Sequence, residues 1–136
     1  MLSTPSAGWV NITLDNWTDR ASYLTEVHFN IMDSLITYLN KRKSQTVYCD
    51  AEGREYFIVF DWGVTYIIEE TDSARLITIE KNIIDIAKEA YEDISKDVDA
   101  WANWDLDGDK EKIKKNKEKI KRKLKTLKKA IEQYGE

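Results

Sequence analysis

Residues Asn103-Trp104-Asp105-Leu106-Asp107-Gly108 put oxygen-bearing side chains at alternate positions and a glycine sixth, the spacing with which an EF-hand loop begins to wrap calcium. In that register the eighth position is Lys110. The twelfth, which must supply a bidentate carboxylate, is Lys114. A lysine there repels the cation, so the segment is expected to be a turn between helices. Gly108 would end one helix, and Asp107 or Asp109 would cap the next. His28 is the sole histidine, whereas metal sites and acid–base pairs usually draw on more than one such ligand or partner, and the plentiful carboxylates read as solvated helix faces rather than as a catalytic pair. His28 lies beside Val27 at the edge of an apolar stripe and reads as a packing residue. Glu26 points elsewhere on the helix. Cys49 is the only cysteine, and Asp50 and Glu52 follow it. Acidic neighbours raise a thiol's pKa and dull its reactivity, so Cys49 also reads as packing. No G-x-S-x-G, Walker A, G-x-G-x-x-G or H-E-x-x-H pattern occurs. The expectation is a non-enzymatic chain with no catalytic residue, no metal and no cofactor.

The strongest signal is electrical. Residues 110–129 hold twelve basic residues against Glu111 and Glu118, whereas residues 1–109 hold nine basic residues against 21 acidic ones. An acidic body is joined to a basic tail. Three uses compete for the tail. It can be a solvated face whose lysines neutralise the acids of the preceding helix. It can contact nucleic-acid phosphates, with Lys114, Lys115, Lys119, Lys121, Arg122 and Lys125 as candidates. Eleven of the twelve are lysine, which favours sequence-independent contacts over bidentate base readout. Or it can lie on an anionic membrane, the reading least favoured because Tyr134 is the only bulky aromatic on its apolar face.

Aromatic residues are the second signal. Five tryptophans are more than a core of this size needs. Trp62 falls at a hairpin turn between Asp61 and Gly63, and Trp101 and Trp104 close a helix beside an acidic turn. Exposed Trp and Tyr anchor protein–protein contacts. Asp61, Trp62, Tyr66, Trp101 and Trp104 are therefore the candidate protein-binding residues.

These side chains need elements to hold them. Trp9–Leu14 alternates and reads as a strand. Asp15-Asn16 is turn chemistry, and a helix is expected from Thr18 or Asp19 to about Lys43, burying Leu24, Val27, Ile31, Leu35, Tyr38 and Leu39. Thr46–Cys49, Glu55–Phe60 and Val64–Glu69 read as an antiparallel meander turning at Gly53 and Gly63. Arg75–Ile79 is a fourth strand or a lead-in to the next helix. A helix is expected from Glu80 to about Trp104, with Ile83, Ala87, Ala90, Ile94, Val98 and Trp101 inward. Another is expected from Lys110 to Tyr134, with Ile113, Ile120, Leu124, Leu127 and Ile131 inward and Lys117 interrupting the seam.

The expected class is α+β: an antiparallel meander of three or four strands, with or without an added N-terminal strand, packed on one long helix and followed by a C-terminal antiparallel helical hairpin. Residues 1–104 form the acidic body, and residues 105–136 the basic helix of the same domain. At 136 residues and 42% apolar composition the chain needs no disulfide staple. A lone thiol and a non-apolar N-terminus fit the cytoplasm, and the sequons at Asn11 and Asn16 read as chance matches. No stretch is apolar enough for a membrane span. Helix, meander and helical hairpin have the general look of small inhibitor and immunity proteins of bacterial and phage conflict systems. That likeness implies a protein-binding module of inhibitor, immunity or adaptor type, monomer or homodimer, using an acidic aromatic surface on another protein. The alternative is a nucleic-acid-binding protein using the basic helix.

Overall fold

Alternating burial of Val10, Ile12 and Leu14 makes β1 (Trp9–Leu14) a strand, and two residues later the chain pairs back on it as β2 (Trp17–Ser22). The computed structural model describes residues 1–70, 73–104 and 109–134. Asp15, at φ 54°, makes the tight reversal, a conformation that short polar side chains tolerate. This hairpin corrects the expected helix start at Thr18 or Asp19. Thr18 instead faces Thr13 across the hairpin, Oγ1 to Oγ1 at 3.1 Å, and Asp19 pairs with Arg54. Helix α1 runs from Val27 to Lys41, and Leu24 lies exposed in the connection before it rather than on the buried stripe. The rest of the expected stripe is buried.

The four strands β3 (Gln45–Asp50), β4 (Glu55–Asp61), β5 (Val64–Glu70) and β6 (Ala74–Ile79) form one antiparallel sheet in sequence order. The ambiguous segment 75–79 is thus a strand, and β1 with β2 is a separate two-stranded sheet. Val47, Cys49, Tyr56, Ile58, Phe60, Thr65, Ile67 and Ile79 point inward and are buried. Helix α1 covers this face along β3 and β4. The β1–β2 hairpin covers another part: Trp17 meets Tyr56 edge-on at 5.1 Å, the Tyr56 hydroxyl donates to the Arg20 carbonyl at 3.0 Å, and Trp17 Nε1 donates to Glu69 at 3.1 Å.

The single helix expected over 80–104 is two helices, α2 (Ile83–Lys96) and α3 (Val98–Ala102). Asp97 breaks the run, leaving helical φ/ψ while its side chain accepts the Ala100 N–H at 3.0 Å. An aspartate is favoured where a helix starts, and here it restarts one. Helix α4 (Lys110–Gln133) is capped by Asp109, whose carboxylate accepts the N–H of Glu111 and Lys112. Asp105, Asp107 and Gly108, named for calcium or for helix termination, lie outside the described residues. Helix α4 buries Ile120, Leu124, Leu127 and Ala130 against α1, α2 and α3 together, so it has more than one partner helix. The Arg42 guanidinium lies 4.0 Å from the centre of the Tyr134 ring, tying the end of α1 to the end of α4. The architecture is α+β with the helices of the C-terminal part stacked on α1. No helix among the described residues is long and apolar enough to cross a membrane.

Candidate functional site

Strand alternation sends one set of sheet residues outward, and the register lines them up. Tyr48 pairs with Phe57, Phe57 with Ile68 and Ile68 with Leu76, so four apolar side chains cross all four strands in one row. Beside it runs a second row, Thr46, Val59, Tyr66 and Thr78. On the other side Asp50 pairs with Glu55 and Glu55 with Glu70, which sets three carboxylates on three adjacent strands. Phe57, Val59, Tyr66 and Ile68 are half-buried by their neighbours within the sheet and take no part in the core cluster, while Leu76 is 64% exposed. Contiguous apolar patches rimmed by polar residues are where contact sites are sought, and this row is the candidate.

The tip of the β4–β5 hairpin extends this face. Asp61 pairs with Val64, so only Trp62 and Gly63 turn the chain, and both have positive φ, 45° and 80°. That is the two-residue turn for which Asn-Gly is the preferred pair. A tryptophan held in the left-handed region is strained by about 1–3 kcal/mol. It recovers nothing from packing, because Trp62 is 88% exposed. The Asp61 carboxylate accepts the Ser44 hydroxyl.

The electrostatics of the rim are equally unfavourable for the isolated fold. Like charges directly opposed across strands destabilise a sheet, and Asp50, Glu55 and Glu70 do this twice in succession. The Tyr48 hydroxyl donates to Glu55 at 2.6 Å and relieves part of the repulsion. That bond to the carboxylate is the main reason its phenol is pushed up to about 12.

Of the five aromatic and acidic candidates, Asp61, Trp62 and Tyr66 thus gather on this face. Trp101 and Trp104 do not, and the expectation that they are exposed anchors is corrected: they are 1% and 4% exposed. They pack with each other at 5.3 Å and close around His28, whose ring lies 5.0 Å from that of Trp101 and 4.1 Å from that of Phe29. His28 is a buried member of this aromatic cluster. The Cys49 thiol is buried and pushed up to about 12, chiefly by burial, with Asp19 adding to the rise and a hydrogen bond from Tyr56 opposing it. Tyr48, Phe57, Ile68 and Leu76 are the surface residues that sequence reasoning passed over. Their signal is present, since β4 reads Tyr-Phe-Ile-Val-Phe without a polar break, and a strand apolar on both faces must show one of them to something.

The basic helix divides into two sets. Lys117 Nζ lies 2.7 Å from Asp99 and holds that carboxyl below its usual range. Lys123 pairs with Asp33, and Lys119 Nζ lies 4.2 Å from the centre of the Phe29 ring. These three lie toward the body. Lys114, Lys115, Lys121, Arg122, Lys125, Lys128 and Lys129 are exposed, and none of them makes an ion pair with another described residue. Among the candidates for phosphate contact, Lys119 therefore sits over an aromatic ring and the other five face outward. Among the described residues no group of three His, Cys, Asp or Glu side chains is placed to hold a metal ion.

Compared with known proteins, the chain matches no family model, no curated protein and no solved structure.

Proposed function

We propose that the protein is a non-enzymatic protein-binding module of inhibitor, immunity or adaptor type, and that it takes its partner on the outer face of the β3–β6 sheet. The observation that carries the reading is Trp62: a bulky aromatic in a strained turn conformation, 88% exposed, at the tip of the β4–β5 hairpin whose outward residues belong to the apolar rows. A conformation that costs stability and returns no packing points to a role outside the folded monomer. The rim of Asp50, Glu55, Glu70 and Asp61 defines the partner's chemistry. It is an apolar patch bordered by lysine and arginine, as around a site that ordinarily takes nucleic acid and that a row of carboxylates can occupy instead. The cytoplasm suits this reading, because a reducing compartment keeps the one thiol free.

The test is affinity capture on the immobilised full chain from a lysate of the source cells, run beside two variants. Trp62→Ala with Leu76→Glu removes the aromatic anchor and charges the apolar row. Lys121→Gln with Lys125→Gln changes only α4. A specific partner is expected to be lost by the first variant, with at least about 30-fold weaker binding, the scale of a hot-spot residue, and to be kept by the second. A partner retained equally by both variants, or lost only by the second, ends the proposal.

A further inference from the structure

We infer that the outer face of α4 is a second binding surface, and that its ligand is the phosphate backbone of duplex DNA, contacted without sequence readout. The inference stands apart from the sheet face, which lies on the far side of α1 from α4. It begins with the division of the basic residues. Were the lysines present only to neutralise the acidic body, they would point at its carboxylates. Lys117 and Lys123 do so, and Lys119 lies on Phe29. Lys114, Lys115, Lys121, Arg122, Lys125, Lys128 and Lys129 occupy the opposite arc of the helix, exposed and without an ion-pair partner among the described residues. Glu111, Glu118 and Glu132 share that arc, leaving it positive.

The shape of the surface selects the ligand. A helix of 24 residues is about 36 Å long. The buried contacts of Ile120, Leu124 and Leu127 hold the helix, so its cations are presented as a band along the outer arc. The outer arc carries no aromatic side chain, so it has no platform on which unpaired bases could stack, and that removes the main device for holding single strands. The major groove of B-form DNA admits a helix, whereas that of duplex RNA is too narrow. One arginine among seven cations leaves little capacity for bidentate recognition of guanine, so contacts go to phosphates. An aliphatic, tightly packed inner face offers no wedge of exposed large apolar residues for a lipid surface.

The experiment is fluorescence anisotropy of the full chain with labelled 20-base-pair duplexes of two unrelated sequences, from 50 to 200 mM NaCl. Binding of both with equal affinity, near about 10⁻⁶ M at the low salt, is expected. Neutralising about four phosphates should weaken it about 10²-fold across that range. Lys121→Gln with Arg122→Gln and Lys125→Gln is expected to flatten the salt dependence and to weaken low-salt binding at least about tenfold. Lys117→Gln, which removes a cation turned toward Asp99, should change affinity by no more than about twofold. Circular dichroism confirms that each variant is folded. The proposal is overturned by absence of duplex binding at 50 mM NaCl, by equal loss in Lys117→Gln, or by tighter binding to single-stranded DNA, duplex RNA or phosphatidylserine vesicles than to duplex DNA. None of these outcomes touches the sheet face, whose own variant leaves α4 unchanged.

Discussion

The Tyr38 hydroxyl, on α1, accepts the N–H of Gly63 at 2.6 Å. A helix buried on the inner side of the sheet thereby holds the tip of the β4–β5 hairpin, the turn on which Trp62 stands. The most exposed tryptophan is thus fixed by a backbone bond one residue away and not by contacts of its own ring. Replacement of Tyr38 by Phe removes the acceptor and keeps the packing. A loss of about 1 kcal/mol is expected, read as a lower urea midpoint with an unchanged slope. An unchanged midpoint would show that the bond does not restrain the turn.

Trp62→Asn converts the turn to Asn-Gly, the pair best suited to two successive positive φ values. If the tryptophan is kept for contact and not for folding, this substitution should raise stability by up to about 1 kcal/mol while it abolishes partner capture. Thermal unfolding of the variant against the parent decides the point. A lower melting temperature would mean that the indole supports the fold in a way its exposure does not suggest.

The buried tryptophans behave oppositely. Trp101→Ala empties the space beside His28 and should cost about 3–5 kcal/mol. Trp62→Ala, by contrast, should stay within about 0.5 kcal/mol, as for exposed sites in general. Chemical denaturation of the two variants side by side tests the contrast, and similar losses for both would contradict the burial assigned to each.

Alkaline pH should unfold the protein through its sheet. The Cys49 thiol rises from 9.0 to about 12 on folding, and the Tyr56 phenol is likewise raised by burial, with Cys49 and Asp19 adding to the effect. Both groups lose their protons more readily in the unfolded chain. The thiol's contribution is therefore complete below pH 9 and falls as pH rises from 9 through 12, and the phenol's is complete below pH 10 and falls above it, by up to about 1.4 kcal/mol per pH unit for each group. Urea midpoints measured from pH 8 to 11 should decline. Cys49→Ala, compared with its own midpoint at pH 8, should decline less steeply. In the native state at pH 8 the thiol should react with a disulfide reagent only as fast as the protein opens.

The meander was legible because its cues are local. Strands of Tyr, Phe, Ile and Val stand between Glu52-Gly53 and Trp62-Gly63, and glycines that need positive φ mark the turns. Strand β2 was not legible for an equally local reason. Trp17, Ala21 and Leu24 continue backward the three- and four-residue spacing of Val27 and Ile31, so the segment mimics a helix until β1 is there to pair with it. Trp101 teaches the reverse lesson. It falls on the inward stripe of its own helix, and that periodicity is a better guide to its burial than its nearness to an acidic turn. The separation of the lysines into inward and outward sets could not be read from the chain. It depends on where Phe29, Asp33 and Asp99 come to rest, and those residues lie on other elements. The alignment of the outward sheet row across four strands depends in the same way on register, which no single strand reveals.

Helix α1 is covered on one side by the sheet and on another by α4, which comes last in the order of elements. During synthesis the apolar stripe of α1 therefore leaves the ribosome long before its cover does. At 5–20 residues per second, the roughly ninety residues that follow α1 take roughly 5–20 s to add. For that interval the nascent chain carries the α4-facing side of α1, where Phe29 lies beneath Lys119, only partly sheltered, and a stop before Ile120 leaves a product without that cover. Products truncated before α4 are thus expected to be aggregation-prone and to depend on chaperones, whereas with α4 in place the same side of α1 is buried.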